Sequence, residues 1–246
     1  MYLLLSGEGS SDIGSCNPSS DICERANFNE GPMAIIVDQL VEIFQDYEMS
    51  HLEIERVSFV SEKYLAANKL PPLKKSMSLR GKKKPVETRY YYENARALAA
   101  VAKAKSIEIK DNVVAVLFRD SDGTASAERG NWLDKRRSMI QGFAAEEFEF
   151  GVAMLPKPKS EAWLLCATKE TSYQHCASLE EESGNDKSKN PLKEQLSASL
   201  MKNFESVDLN YLIRDRLIDV NKIQIPSFDV FKGDLKYAVE NANLKK

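Results

Sequence analysis

Val113-Val114-Ala115-Val116-Leu117-Phe118-Arg119-Asp120-Ser121-Asp122-Gly123 is the stretch on which the reading of the fold turns. Its first six residues are all apolar and three are β-branched, the pattern of a central parallel strand covered on both faces. The run then breaks into arginine, aspartates, serine and glycine, the chemistry of a turn. Working outward, residues 2–6 read as a second short buried strand, and Gly7-Glu8-Gly9-Ser10-Ser11-Asp12 follows it as another tight, acidic turn. Residues 52–60, with Leu52, Ile54, Val57 and Phe59, predict a strand carrying an irregularity, and 150–155 a further buried one. Helical patterns lie between them. One starts at Pro32, a favoured first-turn residue, and runs to near Met49 with Ile36, Leu40, Val41 and Phe44 along one stripe. Others span 90–106, rich in alanine, then 127–143, and a short one covers 162–167. Residues 15–31, rich in Ser, Asn, Pro and Gly, read as loop.

This alternation predicts an α/β protein with a mainly parallel sheet flanked by helices. The last 80 or so residues read as mostly helical, at 173–182, 190–203, 207–219 and 228–243. The expected organisation is an α/β core over 1–167 that includes a basic insertion at about 61–90. A mainly helical extension over 168–246 then packs on or beside that core.

In a parallel sheet both acidic turns emerge at the carboxyl edge, where ligands usually bind. Asp120 and Asp122 stand two apart, so in extended backbone their side chains share a face, and Glu8 approaches from a neighbouring strand. Three carboxylates brought together repel unless a cation compensates them. A hard divalent ion does so, because Mg²⁺ favours oxygen ligands and retains waters for a phosphate substrate. Solvent-exposed turns are the competing reading, since Asp-Ser-Asp-Gly is also good turn chemistry. The glycine-rich first loop lacks the Lys-Ser or Lys-Thr ending of a P-loop.

Strand-Gly-Glu-Gly-x-x-Asp followed by apolar strand-x-Asp-x-Asp-Gly resembles the TOPRIM superfamily of topoisomerases, bacterial primases, maturation ribonucleases and nucleases of the OLD type. The later Val152-Ala153-Met154-Leu155-Pro156 and Ser160-Glu161-Ala162-Trp163-Leu164-Leu165 resemble an uncharacterised bacterial TOPRIM-related family. The recognisable parts cover about 1–14 and 112–167. The resemblance implies a TOPRIM-like fold in which Glu8, Asp120 and Asp122 bind Mg²⁺, with Mn²⁺ as a substitute, and act on phosphodiesters of DNA or RNA. It also implies a role in phage defence and an ATPase partner. Two departures stand out: Glu8 and Asp120 lie 112 positions apart, and position 124 is Thr where related patterns carry another acid. Glu161 is either a fourth carboxylate or a cap on its own helix. No tyrosine is marked as a strand-passage nucleophile, so hydrolysis of nucleic acid is the best match within the superfamily.

The chain of 246 residues has 34 Lys plus Arg against 37 Asp plus Glu, a net charge of -3, which argues against wholesale nucleic-acid binding. The distribution reads differently. Lys74, Lys75, Arg80, Lys82, Lys83, Lys84 and Arg89 stand against the single Glu87, a local charge of +6 suited to backbone phosphates or to a solvated face. Tyr90, Tyr91 and Tyr92 follow, available to stack on unpaired bases or to pack on the core. Arg129, on the helix after Asp122, is a candidate for the active site. Lys187 and Lys189 are candidates for stabilising charge on a transferring phosphoryl group, against an ordinary polar loop. The four cysteines read as free thiols of a cytoplasmic protein rather than as disulfides or as a zinc site with His175. No apolar run is long enough for a membrane helix and the start lacks a signal peptide. Two other readings remain open: a catalytically inactive interaction subunit, and a hydrolase of a small phosphorylated molecule.

Overall fold

A computed structural model describes residues 1–72, 86–121 and 132–244, with side chains from residue 88 onward in the second segment. In chain order the strands are β1 (Tyr2–Gly7), β2 (Gly14–Cys16), β3 (Ile22–Glu24), β4 (Phe28–Glu30), β5 (Val57–Ser61), β6 (Val113–Phe118) and β7 (Gly151–Met154). The helices are α1 (Pro32–Phe44), α2 (Glu62–Ala67), α3 (Val86–Ile109), α4 (Trp132–Ala145), α5 (Ser160–Thr168), α6 (Leu192–Phe204), α7 (Leu209–Arg214) and α8 (Pro226–Leu244).

The main sheet runs β3-β5-β1-β6-β7, and all its pairings are parallel except β3 with β5. The α/β expectation with a mostly parallel sheet therefore holds. Strands β1 and β6 are buried along their whole length, as continuous apolar runs in a doubly covered sheet should be. Alternate residues serve opposite faces. Leu3, Leu5, Val114, Val116 and Phe118 pack with α1, α5 and α8, whereas Tyr2, Leu4, Ala115 and Leu117 pack with α3 and α4.

Gly7 ends β1 opposite Phe118, and a Cβ there would lie 2.5 Å from the Phe118 carbonyl oxygen. Only glycine lets the two strands approach so closely at the edge where the acids emerge.

Several expectations need correction. Residues 15–31 are not a plain loop. They form β2 and β4, an antiparallel pair, and β3, which extends the main sheet. The strand expected over 52–60 is confined to Val57–Ser61, because 51–55 form a turn with Glu55 at φ +58°. Helix α1 stops at Phe44 rather than near Met49, and 173–182 contains only a short 3₁₀ segment, Cys176–Glu181.

The cysteines are also not free thiols: Cys16 is bonded to Cys23 and Cys166 to Cys176, with Cα separations of 5.8 and 5.3 Å. The first bridge ties β2 to β3. The second ties α5 to the segment that follows it.

The residues after 168 share the core of the sheet. Trp163 of α5 lies edge-on to Phe228 and stacked on Phe231 of α8, with centroids 4.8 and 5.7 Å away, and its Nε1 donates to Ser227 Oγ. Among the described residues no helix is long and apolar enough to cross a membrane.

At the opposite, amino-terminal edge, His51 is fully buried, and neither ring nitrogen has a hydrogen-bond partner among the described residues. Its backbone N–H donates to Asp38 Oδ1 (2.7 Å).

Candidate active site at the carboxyl edge of the sheet

Four connections meet at the carboxyl edge of the parallel strands: those following β5, β1, β6 and β7. The β1 connection begins with Glu8 and continues through a single π turn, Gly9–Ile13. Gly9 holds φ +82°, and a Cβ there would lie 2.5 Å from Asp12 Oδ2, so glycine permits both the backbone conformation and the placement of Asp12. The β6 connection supplies Arg119 and Asp120. Two backbone bonds prolong its pairing with β7: Arg119 N–H to Met154 O (3.0 Å) and Ser121 N–H to Pro156 O (3.2 Å).

Ser160, the first residue of α5 and fully buried, joins these segments. Its backbone N–H donates to Asp120 Oδ1 at 2.9 Å, and its hydroxyl donates to Asp12 Oδ1 at 2.8 Å. The residue preceding α5, Lys159, has no side-chain oxygen to cap the helix. Asp120 satisfies one of its orphan N–H groups from across the chain and brings negative charge to the helix's positive end.

Glu161 stands beside this junction, with Ser160 Oγ 3.5 Å from its Oε2. Burial raises the Glu161 carboxyl above its ordinary pKa, and the charge of Asp12 raises it further. Its backbone hydrogen bond and Lys159 pull the other way.

Arg119 links the remaining acids. Its guanidinium reaches Glu8 Oε2 (3.1 Å) and makes a second, shorter ion pair with Glu62, the first residue of α2. Tyr90 and Tyr91 cover it, with ring centroids 4.5 and 5.2 Å away. Burial opposes the charge of Arg119, but the carboxylates of Glu62 and Glu8 outweigh it and raise the pKa above the usual arginine value. The Tyr91 hydroxyl donates to Asp120 O (3.1 Å), and the buried Lys135 donates to Ser121 O (2.6 Å), so the Asp120 segment is held from below by α3 and α4.

Of the residues singled out in the sequence, the structure brings Glu8, Asp120 and Glu161 to one edge. Asp122 and Arg129 lie outside the described residues, as do Lys74, Lys75, Arg80, Lys82, Lys83 and Lys84. Arg89 is exposed on α3, where its Nε pairs with Glu93 Oε1 (2.6 Å). Tyr91 packs into the core rather than standing free for stacking, and Tyr90 lies over Arg119. Lys187 and Lys189 are exposed, and it is Asp186 of their loop that meets the site, through Lys159 (2.9 Å).

Three participants carried no assigned role in the sequence: Asp12, Arg119 and Ser160. Asp12 and Arg119 belong to the two acidic turns, and Ser160 directly precedes Glu161. Their proximity to those acids was the available signal.

The donor set is all oxygen and rich in negative charge, which is the chemistry a hard divalent cation requires. Among the described residues, however, no group of three or more His, Cys, Asp or Glu side chains is placed to hold a metal ion. The described acids thus supply suitable donors without forming a finished shell. Compared with family models, with curated proteins and with solved structures, the chain matches none.

Proposed function

We propose that the chain is a Mg²⁺-dependent phosphodiester hydrolase acting on DNA or RNA, with Mn²⁺ as a substitute metal. The observation that carries this reading is the convergence of Asp12 and Asp120 on Ser160 beside Glu161, at the carboxyl edge of adjacent parallel strands. Glu8, Asp120 and Asp122 are the acids of the two turns that would hold the metal, with Asp12 and Glu161 beside Asp120 at the same edge. When bound, the metal would polarise the phosphate and lower the pKa of an attacking water.

The protein's own contributions are positional. Ser160 fixes the orientation of Asp12 and receives Asp120 at its N–H. Arg119 holds Glu8 at the end of β1. The lysines and arginines between 74 and 89 would track the backbone of a polymer substrate. A TOPRIM-like fold, an ATPase partner and a role in phage defence belong to this proposal through the resemblance alone. A cytoplasmic setting fits the structure least well, because two disulfides in one chain are a mark of oxidising compartments.

One observation favours a second reading. Asp120 caps α5 and Glu8 is neutralised by Arg119, so both acids have structural employment without catalysis. The chain would then be an interaction subunit.

Asp120→Asn separates the two. Asparagine keeps a carbonyl oxygen for the Ser160 N–H, so folding should persist. Cleavage of single- and double-stranded DNA and RNA in Mg²⁺ or Mn²⁺ should fall on the order of 100-fold or more. Undiminished cleavage by the purified variant would sink the hydrolase assignment. Absence of carboxylate-dependent metal binding in a titration of the wild type would favour the subunit.

A further inference from the structure

We propose that Lys159 is the residue that receives a backbone phosphate of the substrate, and that Asp186 occupies this place in the free protein as an internal stand-in. The inference rests on the phosphodiester reading above and adds to it a specific contact and a strap that the substrate displaces. Lys159 lies on the link between β7 and α5 and directly precedes Ser160. The turn that gathers Asp12 and Asp120 therefore also fixes the lysine backbone.

The two ends of the Lys159–Asp186 pair differ. The lysine side chain is 15% exposed, held in the wall of the site, whereas that of Asp186 is 65% exposed on a surface loop.

The loop carrying Asp186 is shaped largely from within. The Lys187 N–H donates to Asn185 Oδ1 and the Ser188 N–H to Asn185 O, each at 2.9 Å, and the Asn185 N–H donates to Ser183 Oγ at 3.2 Å. Ser188 Oγ is buried without a hydrogen-bond partner among the described residues.

A phosphodiester presents an anionic pair of oxygens, as a carboxylate does, and lysine binds either as a point charge. Exchange on Lys159 Nζ therefore conserves the contact. It costs little, because an ion pair with one largely exposed partner is weak.

Fluorescence anisotropy with labelled single-stranded DNA, single-stranded RNA and duplex DNA, in Ca²⁺ and across about 50 to about 200 mM salt, tests this. Lys159→Gln should weaken binding about tenfold and flatten the slope of log K against log salt by about one. Lys159→Arg should keep the wild-type slope. Asp186→Asn, at an exposed position that should not disturb folding, should tighten binding by about threefold. Thermal melts of each variant report whether it folds.

If Lys159→Gln is folded and keeps both affinity and slope, or if Asp186→Asn leaves affinity unchanged, the inference is overturned while cleavage by the wild type still supports the hydrolase reading. A wild type that binds none of these probes and cleaves none in Mg²⁺ overturns both.

Discussion

Replacing His51 with leucine should make the stability of the protein less sensitive to acid, by an amount that the burial of the ring sets. The imidazole is fully buried and its pKa is lowered to about 4 from the ordinary 6.5. Burial is the main cause, the N-terminal ammonium and Arg56 add to it, and Asp111 pulls the other way. Between these two pKa values the unfolded chain binds the proton and the folded chain does not, so stability falls as pH falls through that window. Linkage from 6.5 to about 4 gives a loss of about 2.5 kcal/mol between pH 7.5 and pH 4.5.

Leucine is of similar volume and cannot titrate, so this component disappears. Other groups move with pH in both proteins and cancel in the comparison. Asp38, Glu161 and Asp229 have raised folded pKa values and contribute stability that is lost as pH rises. Asp111 and Glu93 have lowered ones and contribute stability that is lost as pH falls.

The assay is urea unfolding followed by circular dichroism at pH 7.5 and 4.5, with equal slopes required before midpoints are compared. The stability of the variant relative to wild type should rise by about 2.5 kcal/mol on acidification. A relative stability that does not move with pH would refute the argument. So would an NMR titration placing His51 near 6.5, which is readily assigned because the chain has only two histidines.

Two further perturbations test the site and its supports. Ser160→Ala removes the buried hydroxyl that donates to Asp12 at 2.8 Å and should cost about 1.5 kcal/mol, the low end for a bond to a charged group, read as a lower melting temperature. An unchanged melt would mean that the bond does not hold Asp12 in place. Replacing Cys166 and Cys176 together by serine opens a bridge of sequence separation 10 and should cost roughly 2.5 to 3 kcal/mol on the chain-entropy account. Mass spectrometry after alkylation under denaturing conditions that finds four free thiols in the untreated wild type would remove the basis for that estimate.

The sheet was legible in the sequence where apolar runs were continuous, and the edges were not. Strands β1, β6 and β7 announce themselves because both faces are buried. Pro32 marks the start of α1, and the segment from Ala162 to Ala167 lies within α5. The short strands β2, β3 and β4 have no such signal: each is three residues long and set among turn-forming residues, and pairing partners decide its conformation.

The site divides in the same way. Glu8 and Asp120 were readable from acidic turns placed after buried strands. Ser160 joins Asp12 across 148 positions of sequence, and no local pattern encodes such a contact. The disulfides were missed for a related reason. Spacing alone does not bring Cys16 within reach of Cys23, and it is the placement of β2 and β3 that does so.

The glycine that ends β1 imposes an unequal tolerance to substitution. A library of variants could exchange Glu8, Asp12 or Asp120 for their amides, losing charge while leaving the backbone intact. At position 7 even one methyl group meets the neighbouring backbone at 2.5 Å, so the strands bearing those turns must separate to admit it. In a deep mutational scan scored for abundance, residue 7 should therefore accept almost nothing while the acids beside it accept much. Scored for activity, the two classes should become indistinguishable. The difference between those two maps would identify the working residues without knowledge of the substrate.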